Sequence, residues 1–129
     1  MKKRYITLGI VSLILLLVSC TKEKTNIEDS HIIEDSYYVQ YTVSTESSGA
    51  ANSYSIFTVK DVGGDLRQSD FPVTYGPVKK GYTAHIKWTT KTGRYAKPTI
   101  SVSKNGGPFV IKAIASSYSF SGELSYTIN

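Results

Sequence analysis

The chain has one cysteine, one tryptophan, one methionine and two histidines among 129 residues. With a single cysteine no intramolecular disulfide can form, so the fold must be held by burial and hydrogen bonding. So few cysteines and histidines cannot supply the ligand cluster of a zinc site. The longest largely apolar run, Ile6–Val18, is 13 residues, against about 20 for a helix that spans a bilayer. After Val18 no stretch keeps a helical period for ten residues. Catalytic signatures are missing too. There is no G-x-S-x-G elbow, and His31 falls in a polar leader while His85 falls on a strand. The five acids after Tyr37 are Glu46, Asp61, Asp65, Asp70 and Glu123. They sit in or beside loops or on the polar phase of a strand, where solvated surface charge is the expectation. Asp61, Asp65 and Asp70 offer too few oxygen ligands at short spacing for a calcium loop. The chain is therefore expected to be no enzyme and to need no cofactor and no metal.

What is present begins with Met1-Lys2-Lys3-Arg4, then the apolar run, then Leu17-Val18-Ser19-Cys20. A basic start, a short apolar stretch and a small residue before a lone cysteine resemble a lipoprotein signal with its lipobox, of the kind found in Bacteroides-type Gram-negative bacteria. The resemblance implies cleavage before Cys20 and acylation of its sulfur and new amine. One acyl chain holds a protein only marginally and two hold it firmly. It further implies a lipid-anchored protein of the cell envelope, at the outer membrane, facing either the periplasm or the exterior. Thr21 stands where an aspartate would mark retention at the inner membrane. Removal of residues 1–19 takes away Lys2, Lys3 and Arg4, leaving twelve basic and ten acidic residues, a formal +2. A nucleic-acid partner is not expected.

Residues 20–36 are polar and of mixed charge and are expected to be the lipidated cysteine and a flexible tether. Sixteen residues reach at most roughly 50 Å extended, or about 20–25 Å as a coil. Residues 37–129 read as one all-β domain, enough for a single core. Tyr37, Val39, Tyr41 and Val43 alternate with polar residues. So do Tyr82, Ala84, Ile86 and Trp88, then Ile100 and Val102, then Tyr118, Phe120, Leu124, Tyr126 and Ile128. Trp88, in phase with Ile86, is expected in the core. Ser53–Asp61 and Phe109–Ala115 carry apolar residues on both faces and suit the middle of a sheet or a covered outer face. Pro72 and Pro77 restrict their segment to an edge strand or stiff loop. Ser47–Asn52 is expected to be a flexible loop, and Val62–Asp65 a turn. Asn105-Gly106-Gly107 predicts a tight hairpin, because Asn and Gly accept positive φ. The whole predicts an antiparallel six- or seven-stranded immunoglobulin-like β-sandwich after an N-terminal signal helix and tether.

Charge is the most uneven feature. Lys79 to Lys112 holds eight basic residues and no acid. Lys91, Arg94 and Lys97 surround Tyr95 in what reads as one connecting loop, Lys91–Pro98. Cations beside an aromatic ring on a rigid sheet suit an anionic sugar, a phosphate or an acidic protein surface. Lys91, Arg94, Tyr95 and Lys97 are therefore the candidate ligand-binding residues, with His85 and Lys87 on the adjoining outer face. Tyr38, Tyr75 and Tyr95 are the tyrosines expected to be exposed. Residues 38–128 also resemble small immunoglobulin-like sandwiches of the MmpS-like type, through Val39-Gln-Tyr41-Thr-Val43, Phe71-Pro72, Val78-Lys-Lys-Gly81, Ile100-Ser-Val102 and the Asn105 hairpin. That family is associated with accessory roles in lipid or siderophore export, but no residue here matches a functional motif of it. The expected function is non-enzymatic: loops presented for binding or assembly with an envelope protein or anionic glycan. The alternative is an accessory subunit of an envelope transport or sugar-capture complex.

Overall fold

The computed structural model describes residues 33–47, 49, 54–91 and 93–129. The signal, Cys20, His31 and most of the Ser47–Asn52 loop lie outside these residues. Seven strands follow in order: β1 (Tyr37–Ser47), β2 (Tyr54–Val59), β3 (Val73–Val78), β4 (Thr83–Lys91), β5 (Arg94–Lys104), β6 (Val110–Ile114) and β7 (Ser121–Thr127). They form a four-stranded sheet, β3-β1-β5-β6, and a three-stranded sheet, β2-β4-β7, with every pairing antiparallel. The protein is thus an all-β sandwich. Its four-and-three division is that of constant-type immunoglobulin domains, while the order is its own, since β1 pairs with β3 and β5.

Alternation decides which faces meet. Tyr37, Val39 and Tyr41 of β1, Phe57 and Val59 of β2, Ala84, Ile86 and Trp88 of β4, and Ala96, Ile100 and Val102 of β5 are buried together. Full burial of Phe57, Ile86 and Ile100 contributes about 1.5–3 kcal/mol each. Trp88 lies in this core as expected, and its ring covers Gly122. A Cβ on Gly122 would stand 2.6 Å from Trp88 Cζ2.

Two strands depart from their expected surroundings. Ser101 and Ser103 of β5 are on the polar phase yet buried, because β5 lies between β1 and β6, with Gln40 and Ile111 in register with Ser101 and Tyr38 with Ser103. β6 is not in mid-sheet. It forms an edge and exposes Val110, Ile111 and Ile114 by 51%, 62% and 51%. β2 is also an outer strand, but Leu66 folds back to pair with Phe57 and covers its free side. β3, with Pro77, is the opposite edge of the larger sheet. Gly76 lies there so close to β1 that a Cβ would come within 2.8 Å of the Tyr37 carbonyl oxygen.

The antiparallel arrangement separates two ends, roughly 35 Å apart along the eleven residues of β1. At the near end the chain joins the body. Ser36 N donates to Asn105 Oδ1 at 2.9 Å, and Asn105 N donates back to Ser36 O at 2.8 Å. Asn105 (φ 50°) and Gly106 (φ 75°) make the tight turn the sequence predicts, closed by Gly107 N donating to Lys104 O. The far end gathers the finish of β4, the start of β5 and residues 67–70, which include a single 3-10 turn, Gln68–Asp70.

Candidate functional site

The acid-free basic stretch divides between the two ends. At the near end its cations meet acids from the residues that precede β1. Lys79 Nζ lies 2.6 Å from Glu34 Oε2, and Lys104 Nζ lies 2.7 Å from Asp35 Oδ2. Asn105 Nδ2 also donates to Asp35, at 2.8 Å. The Lys104 and Asn105 hydrogen bonds hold the Asp35 carboxyl below the usual carboxylate range, and Asp35 in turn raises Lys104. Tyr82 donates to Asp61 Oδ2 at 3.0 Å, and burial raises its hydroxyl pKa far above the ordinary tyrosine value.

The segment from Lys91 to Pro98 is not a loop. β4 runs through Lys91, β5 begins at Arg94, and the connection between the two sheets is only Thr92-Gly93. A positive φ at Gly93 serves this tight reversal. The six candidate residues consequently face three ways. His85, Lys87 and Lys91 lie on the outer face of the three-stranded sheet, where His85 Nε2 is 3.4 Å from Glu123 Oε2. Tyr95 and Lys97 lie on the outer face of the four-stranded sheet. There Tyr95 packs on Phe120 at 4.3 Å between ring centroids, and Lys97 sits 5.7 Å from the Tyr118 ring. Arg94 keeps the inward phase of Ala96 and reaches between the sheets. Of the exposed tyrosines expected, Tyr75 instead shares the inward phase of β3 and stacks on Tyr82 at 5.8 Å, while Tyr38 is half-buried.

Arg94 opens a site that the sequence pattern does not show. It lines a cleft of about 430 Å³ with Tyr54, Ser55, Arg67, Gln68 and Ser69. Arg94 Nη1 donates to Gln68 Oε1 at 3.1 Å, whereas its Nε is buried without a hydrogen-bond partner. Ser55 is 3% exposed and its Oγ has no partner either. The Arg67 guanidinium stands 5.4 Å from the centroid of the Tyr54 ring. Its backbone N donates to Asp70 Oδ2 at 2.6 Å, and among the described residues no acid lines the cleft. Lys91 is in register with Tyr54 across the β2–β4 pair, on the outer face of the three-stranded sheet. Of the six predicted site residues, Arg94 is the one that lines the cleft. Among the described residues no carboxylate pairs with Lys91, Arg67 or Arg94.

The framework is firm. Thr90 Oγ1 donates to Arg94 O at 2.7 Å, Thr90 N to Phe120 O at 2.6 Å, and Trp88 Nε1 to Ser119 O at 3.3 Å. Ala96 and Ser119 exchange backbone hydrogen bonds at 2.9 and 3.0 Å. Asp61, Asp65 and Asp70 do not converge, and among the described residues no three His, Cys, Asp or Glu side chains come together to hold a metal ion. No protein family, curated protein or solved structure matches the chain.

Proposed function

We propose that the protein is a non-enzymatic, lipid-anchored lipoprotein of the cell envelope that binds an anionic envelope component with the far end of its β-sandwich. The address rests on the basic start, the short apolar run and Cys20. The binding role rests on one observation above all. Lys79 and Lys104 of the near end are paired with Glu34 and Asp35, while no carboxylate among the described residues forms an ion pair with Lys91, Arg67 or Arg94. Unpaired cations on a well-held framework attract anions over about a Debye length, roughly 8 Å at physiological salt.

The test has two parts. Labelled fatty acid should enter the wild-type protein and not Cys20→Ala, and wild-type protein should be retained on acidic envelope polysaccharide in a salt-sensitive way. Reversal of Lys91 and Arg94 to Glu should abolish that retention. Equal retention of the reversed protein would remove the binding role, and an unlabelled wild-type protein would remove the anchor.

A further inference from the structure

We infer that the far cleft is a saccharide site selective for sugars bearing an oxyanion, a carboxylate or a phosphate, with Arg94 and Arg67 as the anion-binding pair. This rests on the reading of the far end as the binding end and assigns its ligand class.

Arg94 carries the inference. A guanidinium offers donors in a planar fork that matches two oxygens of one carboxylate or phosphate. Here one arm, Nη1, is occupied by the neutral amide oxygen of Gln68 at 3.1 Å, while Nε has no acceptor at all. Ser55 Oγ, on a residue that lines the same cleft, is also without a partner and shut away from water. Buried donors are almost always satisfied in folded proteins, so two such atoms at one cleft mark a place where an acceptor is missing. Gln68 holds the position that a charged oxygen would take. A charged acceptor bonds a guanidinium more strongly than an amide does, so an arriving oxyanion displaces the Gln68 side chain and gives Arg94 and Ser55 their acceptors together.

The remainder of the lining favours a sugar over a bare ion. Tyr54 is 36% exposed and presents part of its ring at the cleft, a surface that suits the apolar face of a pyranose. Arg67, over that ring, places a second positive charge beside it. Gln68 and Ser69 supply neutral hydrogen-bonding groups for hydroxyls. A volume of about 430 Å³ lies within the range of small-molecule sites and far exceeds the space one ion needs.

The experiment is calorimetric titration of the full, acylated chain in detergent micelles with glucuronate, glucose 6-phosphate, glucose and inorganic phosphate. Glucuronate, glucose 6-phosphate or both should bind at least tenfold more tightly than glucose and than inorganic phosphate, and whichever binds identifies the anionic group. Arg94→Lys, which keeps the charge and loses the fork, should weaken binding by about tenfold or more. Arg67→Ala, at an exposed position that does not threaten folding, should weaken it several-fold, and Lys112→Gln should leave it unchanged. Glucose binding as tightly as the acids, inorganic phosphate matching the acidic sugars, or Arg67→Ala and Arg94→Lys both binding like wild type would overturn the assignment. Wild-type protein that binds none of the four probes yet is held on acidic envelope polysaccharide would sink the cleft while leaving the broader binding role standing.

Discussion

Lys79 and Lys104, at the near end, each lie within 2.7 Å of a carboxylate, while the side chains of Lys91, Arg67 and Arg94, at the far end, form no ion pair among the described residues. Both sets of cations look alike in the sequence. What separates them is where the chain places Glu34 and Asp35, two residues that read as tether and instead close one end of the sandwich. A basic run therefore marks a binding surface only where the same chain has not already supplied the acids.

The largest expected effect comes from disturbing what supports the far end. Gly122→Ala forces its Cβ against the buried Trp88 ring, an overpacking that should cost about 1–3 kcal/mol in urea unfolding. Trp88 holds Ser119, and Ser119 holds Ala96. Amide exchange should therefore accelerate at Ala96 and Ser119 while the near-end turn keeps its protection. Equal acceleration at both ends would show that they are one cooperative unit.

Asn105→Ala makes the complementary break. It removes the side-chain bonds to Ser36 and Asp35 and places a Cβ-bearing residue without Asn's local hydrogen bonding at φ 50°, with a loss of about 1–2 kcal/mol. Retention on acidic polysaccharide should not change. Reduced retention would mean that the near end shapes the far one.

The smallest effect is one of pH. Folded Asp35 is held below its ordinary pKa, so its contribution is full above about pH 3.9, the unfolded value, and is lost as pH falls through the folded one. Lys104 is held above its ordinary pKa, so its share is full below about pH 10.4 and is lost as pH rises through the folded value. Asp35→Asn should lower the melting temperature slightly across the neutral range and converge with wild type in strong acid. Curves that stay parallel down to pH 2 would show that the pair adds nothing.

How much of this the sequence discloses follows from the range of each interaction. β1, β4 and β7 show clean period-two patterns because each has one wet and one dry face, and the Asn105 turn is local chemistry. The start of β5 is hidden, since Arg94, Tyr95 and Lys97 carry the polar character of a loop and the reversal before them takes only two residues. β6 misleads because its apolar residues face outward at an edge. The cleft is the least visible of all. Tyr54 and Ser55 of β2 meet Gln68 and Arg94 only because residues 60–72 run back along β2 to the far end. No pattern within any one of these segments carries that meeting. Arg94 and Lys91 were visible as charge, and their acid-free neighbourhood was the signal. Ser55, Arg67 and Gln68 gave none.

The position of β1 has a mechanical consequence. It lies inside its sheet and pairs with β5 through all eleven of its residues, so an anchored tether ahead of it, as proposed, would pull on its first residue. A ligand held by Arg94, the first residue of β5, would pull that strand from the other end. Antiparallel hydrogen bonds lie across the strands, so tension between anchor and cargo loads the ladder in shear, all rungs together. Peeling one rung at a time would require a pull from the side, and neither attachment point supplies it.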